Sequence, residues 1–124
     1  MNLATMWLIS LSVTLSATAQ ITLKLGMNSP FVQQAIASAS AFSIFNSILT
    51  NGFVMGGLTL YFASAAVWLF VLAKVEVSFA YPFVGLGFIL TMLIAYFING
   101  EALSITKVMG TSFIAIGIAI VAQG

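Results

Sequence analysis

Formal charge occurs at only five positions in this chain, Lys24, Lys74, Glu76, Glu101 and Lys107, and long apolar stretches fill the sequence around them. A charge at the centre of a bilayer costs on the order of 3 kcal/mol or more, so a chain whose solvent is lipid sheds charges almost everywhere. With 62% hydrophobic and 4% charged residues, the sequence lies far from the roughly 45–50% and about 25% of soluble domains. A soluble domain of this size buries only about two-thirds of its unfolded surface, which would leave much apolar surface in water. An all-α membrane protein is expected, and its few charges are the best leads to function.

Cys, His, Asp and Arg are absent. Disulfides, thiol chemistry and the commonest metal ligands are thereby removed. Acid–base catalysis would have to run on two glutamates and three lysines. The close glycines Gly56, Gly57, Gly85 and Gly87 follow no strand and match no phosphate loop. The expectation is a protein that is no enzyme and uses no cofactor or metal. Its net charge of +1 creates no basic field for a phosphate backbone, so nucleic acid is excluded as a partner.

Crossing a hydrocarbon core of ~30 Å takes about 20 apolar residues. Four segments suffice, about 3–23, 53–73, 79–98 and 105–122, within a single domain over 1–124. Ala17-Thr18-Ala19 before Gln20 has the look of a signal cleavage site. However, no basic region precedes it and the apolar run continues through Ile21 and Leu23, so the segment reads as a span. Short connectors at 74–78 and 99–104 make antiparallel hairpins of the second and third and of the third and fourth spans.

The connector at 26–52 is longer. Ser29-Pro30 reads as a helix start, after which Val32, Ile36, Ala39, Phe42, Phe45 and Leu49 recur at helical spacing, with Gln33, Gln34, Ser38, Ser43 and Ser47 mostly opposite. The pattern predicts one surface-lying amphipathic helix that roofs the bundle, with a substrate gate as the alternative. Lacking Lys and Arg, it is not a basic lipid-binding helix.

In the first span Ser10, Ser12, Thr14, Ser16, Thr18, Gln20, Thr22 and Lys24 occupy alternate positions. Residues four apart share a helix face, so Ser12, Ser16, Gln20 and Lys24 form one stripe ending in a cation. Such groups normally face a bundle interior or an aqueous cavity, which makes the stripe a candidate ligand track. The competing reading has the hydroxyls bonding one turn back while Lys24 snorkels to the interface.

Lys74 and Glu76 each sit at the helix pole that suits their sign, as caps do. Lys107 falls in the first turn of span four, where the dipole repels a cation, and calls for Glu101, a headgroup or an anionic substrate to hold it. Pro82 leaves the Ser78 carbonyl without a partner if the third helix has already begun. With Gly85 and Gly87 a turn later it marks a candidate hinge, the alternative being a proline in the first turn of an ordinary helix. Gly110 and Gly117 lie seven apart, nearly on one face, among further small residues. They predict close packing of span four against a second copy or a sister subunit, or within the bundle.

The run from Val67 to Pro82, with its Ala80-Tyr81-Pro82 element, followed by Asn99-Gly100-Glu101-Ala102-Leu103-Ser104, resembles the drug/metabolite transporter superfamily (EamA-like). Ala19-Gln20 followed by Lys24 is also similar. The closest likeness is to its short four-helix members, subunits that flip aminoarabinose-phosphoundecaprenol across the bacterial inner membrane. It covers nearly the whole chain except 28–51. The resemblance implies a multi-pass inner-membrane transporter working as a homodimer or heterodimer, with Tyr81 and Glu101 in the substrate region. The small multidrug resistance family of the same superfamily depends on a glutamate midway along its first helix. Here that position aligns with Ser16, and the family's tryptophan in the third helix aligns with Val84.

These readings lead to an expected flippase for a polyprenyl-phosphate-linked sugar or related lipid. Lys24 and Gln20 would meet the phosphate with Lys107 as a second contact, and Ser12 and Ser16 would meet the sugar. Two alternatives remain open, a small-cation exporter and an accessory subunit of a membrane glycosyltransferase. Lys74 on one side against Lys24 and Lys107 on the other is too small a difference to set orientation.

Overall fold

A computed structural model describes residues 3–124. Among them the chain forms helices and turns only: α1 (Leu3–Met27), α2 (Pro30–Ala37), α3 (Ala41–Leu49), α4 (Gly52–Leu72), α5 (Val77–Ala80), a 3-10 turn at Tyr81–Phe83, α6 (Val84–Ile98) and α7 (Ile105–Ala122). The segments Leu3–Met27, Gly52–Leu72, Val77–Ile98 and Ile105–Ala122 are each long and apolar enough to cross a membrane. Large side chains such as Phe62, Phe88, Phe97 and Phe113 remain exposed along them, as on helices that are apolar all round and face lipid. The molecule is an all-α membrane protein.

α1 and α4 form the principal helix pair, and glycines set their separation. A Cβ on Gly26 would come within 2.7 Å of the Val54 backbone nitrogen, and one on Gly57 within 2.8 Å of Leu23 Cγ. Without water to drive association, such close contact is what holds helices together in lipid. α6 packs on α1, and α7 on α6, where Gly85 admits Ile114 and Ile118, whose side chains lie 2.8 and 3.0 Å from where its Cβ would be.

The apolar core gathers Ile9, Val13, Val71, Ala80, Phe83 and Ile118. These residues come from the first half of α1, the ends of α4 and α7, α5 and the 3-10 turn, so the bundle is closed at the end that carries Lys74 and Glu76. The opposite end holds the α1 C-terminus, the α2–α3 connector and the turn into α7.

α1 continues past the apolar span to Met27, so Lys24 stands on the helix as its stripe requires. The connector is two short helices, where a single one was expected. Ser38 Oγ donates to the Ala35 carbonyl at 2.7 Å, Ser40 accepts from the Ser43 N–H to start α3, and Ala39 between them adopts φ 56°. These hydroxyls satisfy the backbone outside the helix, and the apolar repeat continues across the break without revealing it. Within the connector Val32 and Ser47 are fully buried while Phe42 and Phe45 are exposed.

Pro82 does interrupt the third span. It has no N–H for the Ser78 carbonyl, the chain tightens to a 3-10 turn, and the Val84 N–H bonds to the Tyr81 carbonyl. At the far end Gly100, at φ 69°, lets the Glu101 N–H return to the Ala95 carbonyl at 3.2 Å. That turn carries Glu101 and the start of α7 back toward α1.

Candidate functional site

The alternating polar residues of α1 separate onto two faces. Thr14, Thr18 and Thr22 donate to the carbonyls of Ser10, Thr14 and Thr18 at 2.8, 2.9 and 2.9 Å, so this row is satisfied within its own helix. The other row, Ser12, Ser16, Gln20 and Lys24, faces two adjoining cavities.

The outer cavity is a groove of about 640 Å³ at the open end of the bundle. Ser16, Gln20 and Lys24 form its α1 wall, Tyr61 comes from α4, Thr91 and Met92 from α6, and Glu101 and Lys107 from the turn into α7. The inner pocket, of about 220 Å³, is lined by Ser12, Ser16, Tyr61, Ser64, Trp68 and Tyr81. Ser16, Tyr61, Val84 and Gly87 border both, so the groove leads from its charged mouth to a deeper compartment of hydroxyls and aromatic rings. The positions singled out from the sequence for substrate, Ser12, Ser16, Gln20, Lys24, Tyr81, Glu101 and Lys107, are thus brought together along one path.

Their hydrogen bonding differs. Ser12 is buried and bonded to Ser64: its Oγ donates to the Ser64 carbonyl at 2.9 Å, and Ser64 Oγ donates to the Ser12 carbonyl at 2.9 Å. It forms wall and helix contact. Lys107 is not held by Glu101, as expected from their signs. Its Nζ donates to the Ala102 carbonyl at 3.1 Å, a nearer partner once Ser104 caps α7 by accepting the Lys107 N–H. The Glu101 carboxylate accepts from Asn99 Nδ2 at 3.5 Å. Among the described residues the side chains of Ser16, Gln20 and Lys24 have no hydrogen-bond or ion-pair partner. The groove therefore presents an ammonium, an amide and a hydroxyl in a row, ready to bond an incoming polar group.

Pro82 and Gly85 lie on the far side of α6, lining a surface cleft of about 400 Å³ with Ile114, Gly117 and Ile118. Gly110 and Gly117 meet no neighbouring atom within 4 Å of a built Cβ, so within one copy the span-four glycines pack against nothing. Sequence reasoning missed Tyr61, Ser64 and Trp68. Their offsets of three and seven residues place them on one face of α4, the signal that would have found them.

Over 121 residues, 95% of this chain and 90% of the relative, the sequence is 29% identical to a probable 4-amino-4-deoxy-L-arabinose-phosphoundecaprenol flippase subunit, ArnF, of Proteus mirabilis (strain HI4320). It is 32% identical over 80 residues, 64% of this chain and 68% of the relative, to an uncharacterised protein, y4nH, of Sinorhizobium fredii (strain NBRC 101917 / NGR234). No family model matches the chain, and no solved structure matches it.

Proposed function

The chain belongs to the same family as y4nH, and from its likeness to a flippase subunit and the groove on α1 we propose that it is a membrane transporter. Its cargo on this reading is a polyprenyl-phosphate-linked sugar or related anionic lipid, carried across a bacterial inner membrane. The observation that carries the proposal is Lys24, an ammonium without a partner among the described residues, set one turn above the Gln20 amide in a groove at the open end of a lipid-facing bundle. Phosphate oxygens bonded to such a pair gain charge-assisted hydrogen bonds.

Lys107, held only by a carbonyl, is the second phosphate contact. The sugar moves inward past Ser16 to the aromatic and hydroxyl lining at Tyr61, Trp68 and Tyr81, while the polyprenyl chain stays in lipid. The bundle is closed at the Lys74 end and open at the Lys24 end, as one state of an alternating-access cycle would be. The 3-10 turn at Pro82, next to Gly85 and Gly87, is the element that flexes to exchange the two. A second copy or sister subunit packs on the open Gly110 and Gly117 face and completes the assembly, in keeping with the word subunit in the name of the relative.

Glu101 in the groove mouth and the rings of Tyr61, Trp68 and Tyr81 farther in are features that suit a cationic cargo. Reconstitution into vesicles separates the readings. Leaflet exchange of a polyprenyl-phosphate sugar, without uptake of quaternary ammonium compounds, is the expected result. Proton-dependent uptake of the latter, without lipid exchange, would overturn it.

A further inference from the structure

No formal charge occurs between Lys24 and Lys74, so the whole α2–α3 hairpin is uncharged. Val32 is buried against the protein, but the phenylalanines of the hairpin point away from it. Phe42 is 79% exposed and Phe45 63%, with Phe31 and Leu49 also exposed, whereas Ser47 is fully buried. A helix covered by water would show the reverse.

Part of the hairpin's polar set is met inside the protein. Gln33 Nε2 donates to the Met27 carbonyl at 2.7 Å, Ser47 Oγ to Ile44 at 2.8 Å, Thr50 Oγ1 to Asn46 at 2.9 Å, and Asn51 Nδ2 to Ser29 Oγ at 3.0 Å. Internal satisfaction of this kind is what a hydrocarbon environment demands. Phe53, Leu58 and Phe62 on α4, which follows the hairpin directly, are exposed as well, as residues of a lipid-facing span are. α3 itself has nine residues, too few to cross where about 20 are needed.

We propose that the α2–α3 hairpin is embedded in one leaflet, with Phe42, Phe45 and Leu49 among the acyl chains. Gln34 and Asn46, which border the cleft between the two helices, meet the headgroups. Because the hairpin joins the end of α1 to the start of α4, it sits at the same membrane face as Lys24, Glu101 and Lys107. It holds the groove mouth at headgroup depth and does so whatever the cargo.

The chain has no cysteine, so single nitroxide labels can be placed without background at Phe42, Phe45, Asn28 and Phe62 in vesicles of phosphatidylethanolamine and phosphatidylglycerol. Asn28 serves as the aqueous reference and Phe62, mid-way along α4, as the bilayer reference. The expected ratio of oxygen to nickel-chelate collision at Phe42 and Phe45 is several-fold above that at Asn28 and approaches that at Phe62. Ratios equal to Asn28 would put the hairpin in water, and labels shielded from both reagents with spin–spin broadening between copies would put it in a protein interface. Either result overturns the proposal. An acyl-chain diazirine lipid applied to the unlabelled chain gives an independent reading: adducts within 41–49 support the proposal, and adducts confined to the four spans overturn it.

Discussion

Ser12 and Ser64 exchange hydrogen bonds across the α1–α4 contact, each hydroxyl donating to the carbonyl of the other residue at 2.9 Å. The pair lies in the wall of the inner pocket, so the same two residues join the helices and bound the deeper half of the groove. Interhelical hydrogen bonds in membranes average about 0.6 kcal/mol and reach about 1.7. Ser12→Ala and Ser64→Ala are each expected to destabilise by about that much, with a non-additive double mutant, in reversible unfolding in mixed micelles. Additive losses would mean that the two hydroxyls act independently.

Glycine substitutions should divide by position. Gly26→Ala places a methyl against the Val54 backbone nitrogen and Asn51, neither of which can retreat cheaply, and overpacking of this kind costs about 1–3 kcal/mol. Gly117→Ala meets nothing within 4 Å and, in the interior of α7, should leave one copy as stable or up to about 1 kcal/mol more so.

On the proposed assembly, bulk on the open face of α7 acts between copies instead. Gly110→Ile combined with Gly117→Ile should keep the helical content yet lose self-association, or association with a sister subunit. Crosslinking in native membranes reads this out, and an unchanged crosslinked band would exclude α7 as the interface.

Pro82→Ala restores an N–H to the Ser78 carbonyl and lets α5 and α6 join into one helix. On the proposed hinge, stability should be equal or higher while transport falls, because the third span loses the 3-10 turn at which it would flex. Parallel measurement of unfolding and leaflet exchange separates this outcome from simple misfolding.

The four spans were legible because charge avoidance and span length act on every residue in lipid. The groove stripe was legible because Ser12, Ser16, Gln20 and Lys24 follow helical spacing in an otherwise apolar segment. The break at Ala39 was hidden, since the apolar period continues through it and two local serine bonds decide it. The Lys107 bond to Ala102 was equally invisible, because opposite signs point to Glu101 while turn geometry delivers the nearer carbonyl. Tyr61 and Trp68 were lost in a helix apolar nearly all round, where Ser64 alone, at matching helical spacing, marks the face that looks inward.

The central claim is that the Lys24 ammonium receives an anionic headgroup in the groove. Leaflet exchange of a polyprenyl-phosphate sugar in vesicles holding wild-type, Lys24→Met or Lys24→Arg protein tests it directly. Methionine keeps the chain length and removes the charge, while arginine keeps the charge and adds donors. The account predicts loss of exchange with methionine, retention of measurable exchange with arginine, and unchanged folding in both. Full exchange with methionine would contradict it.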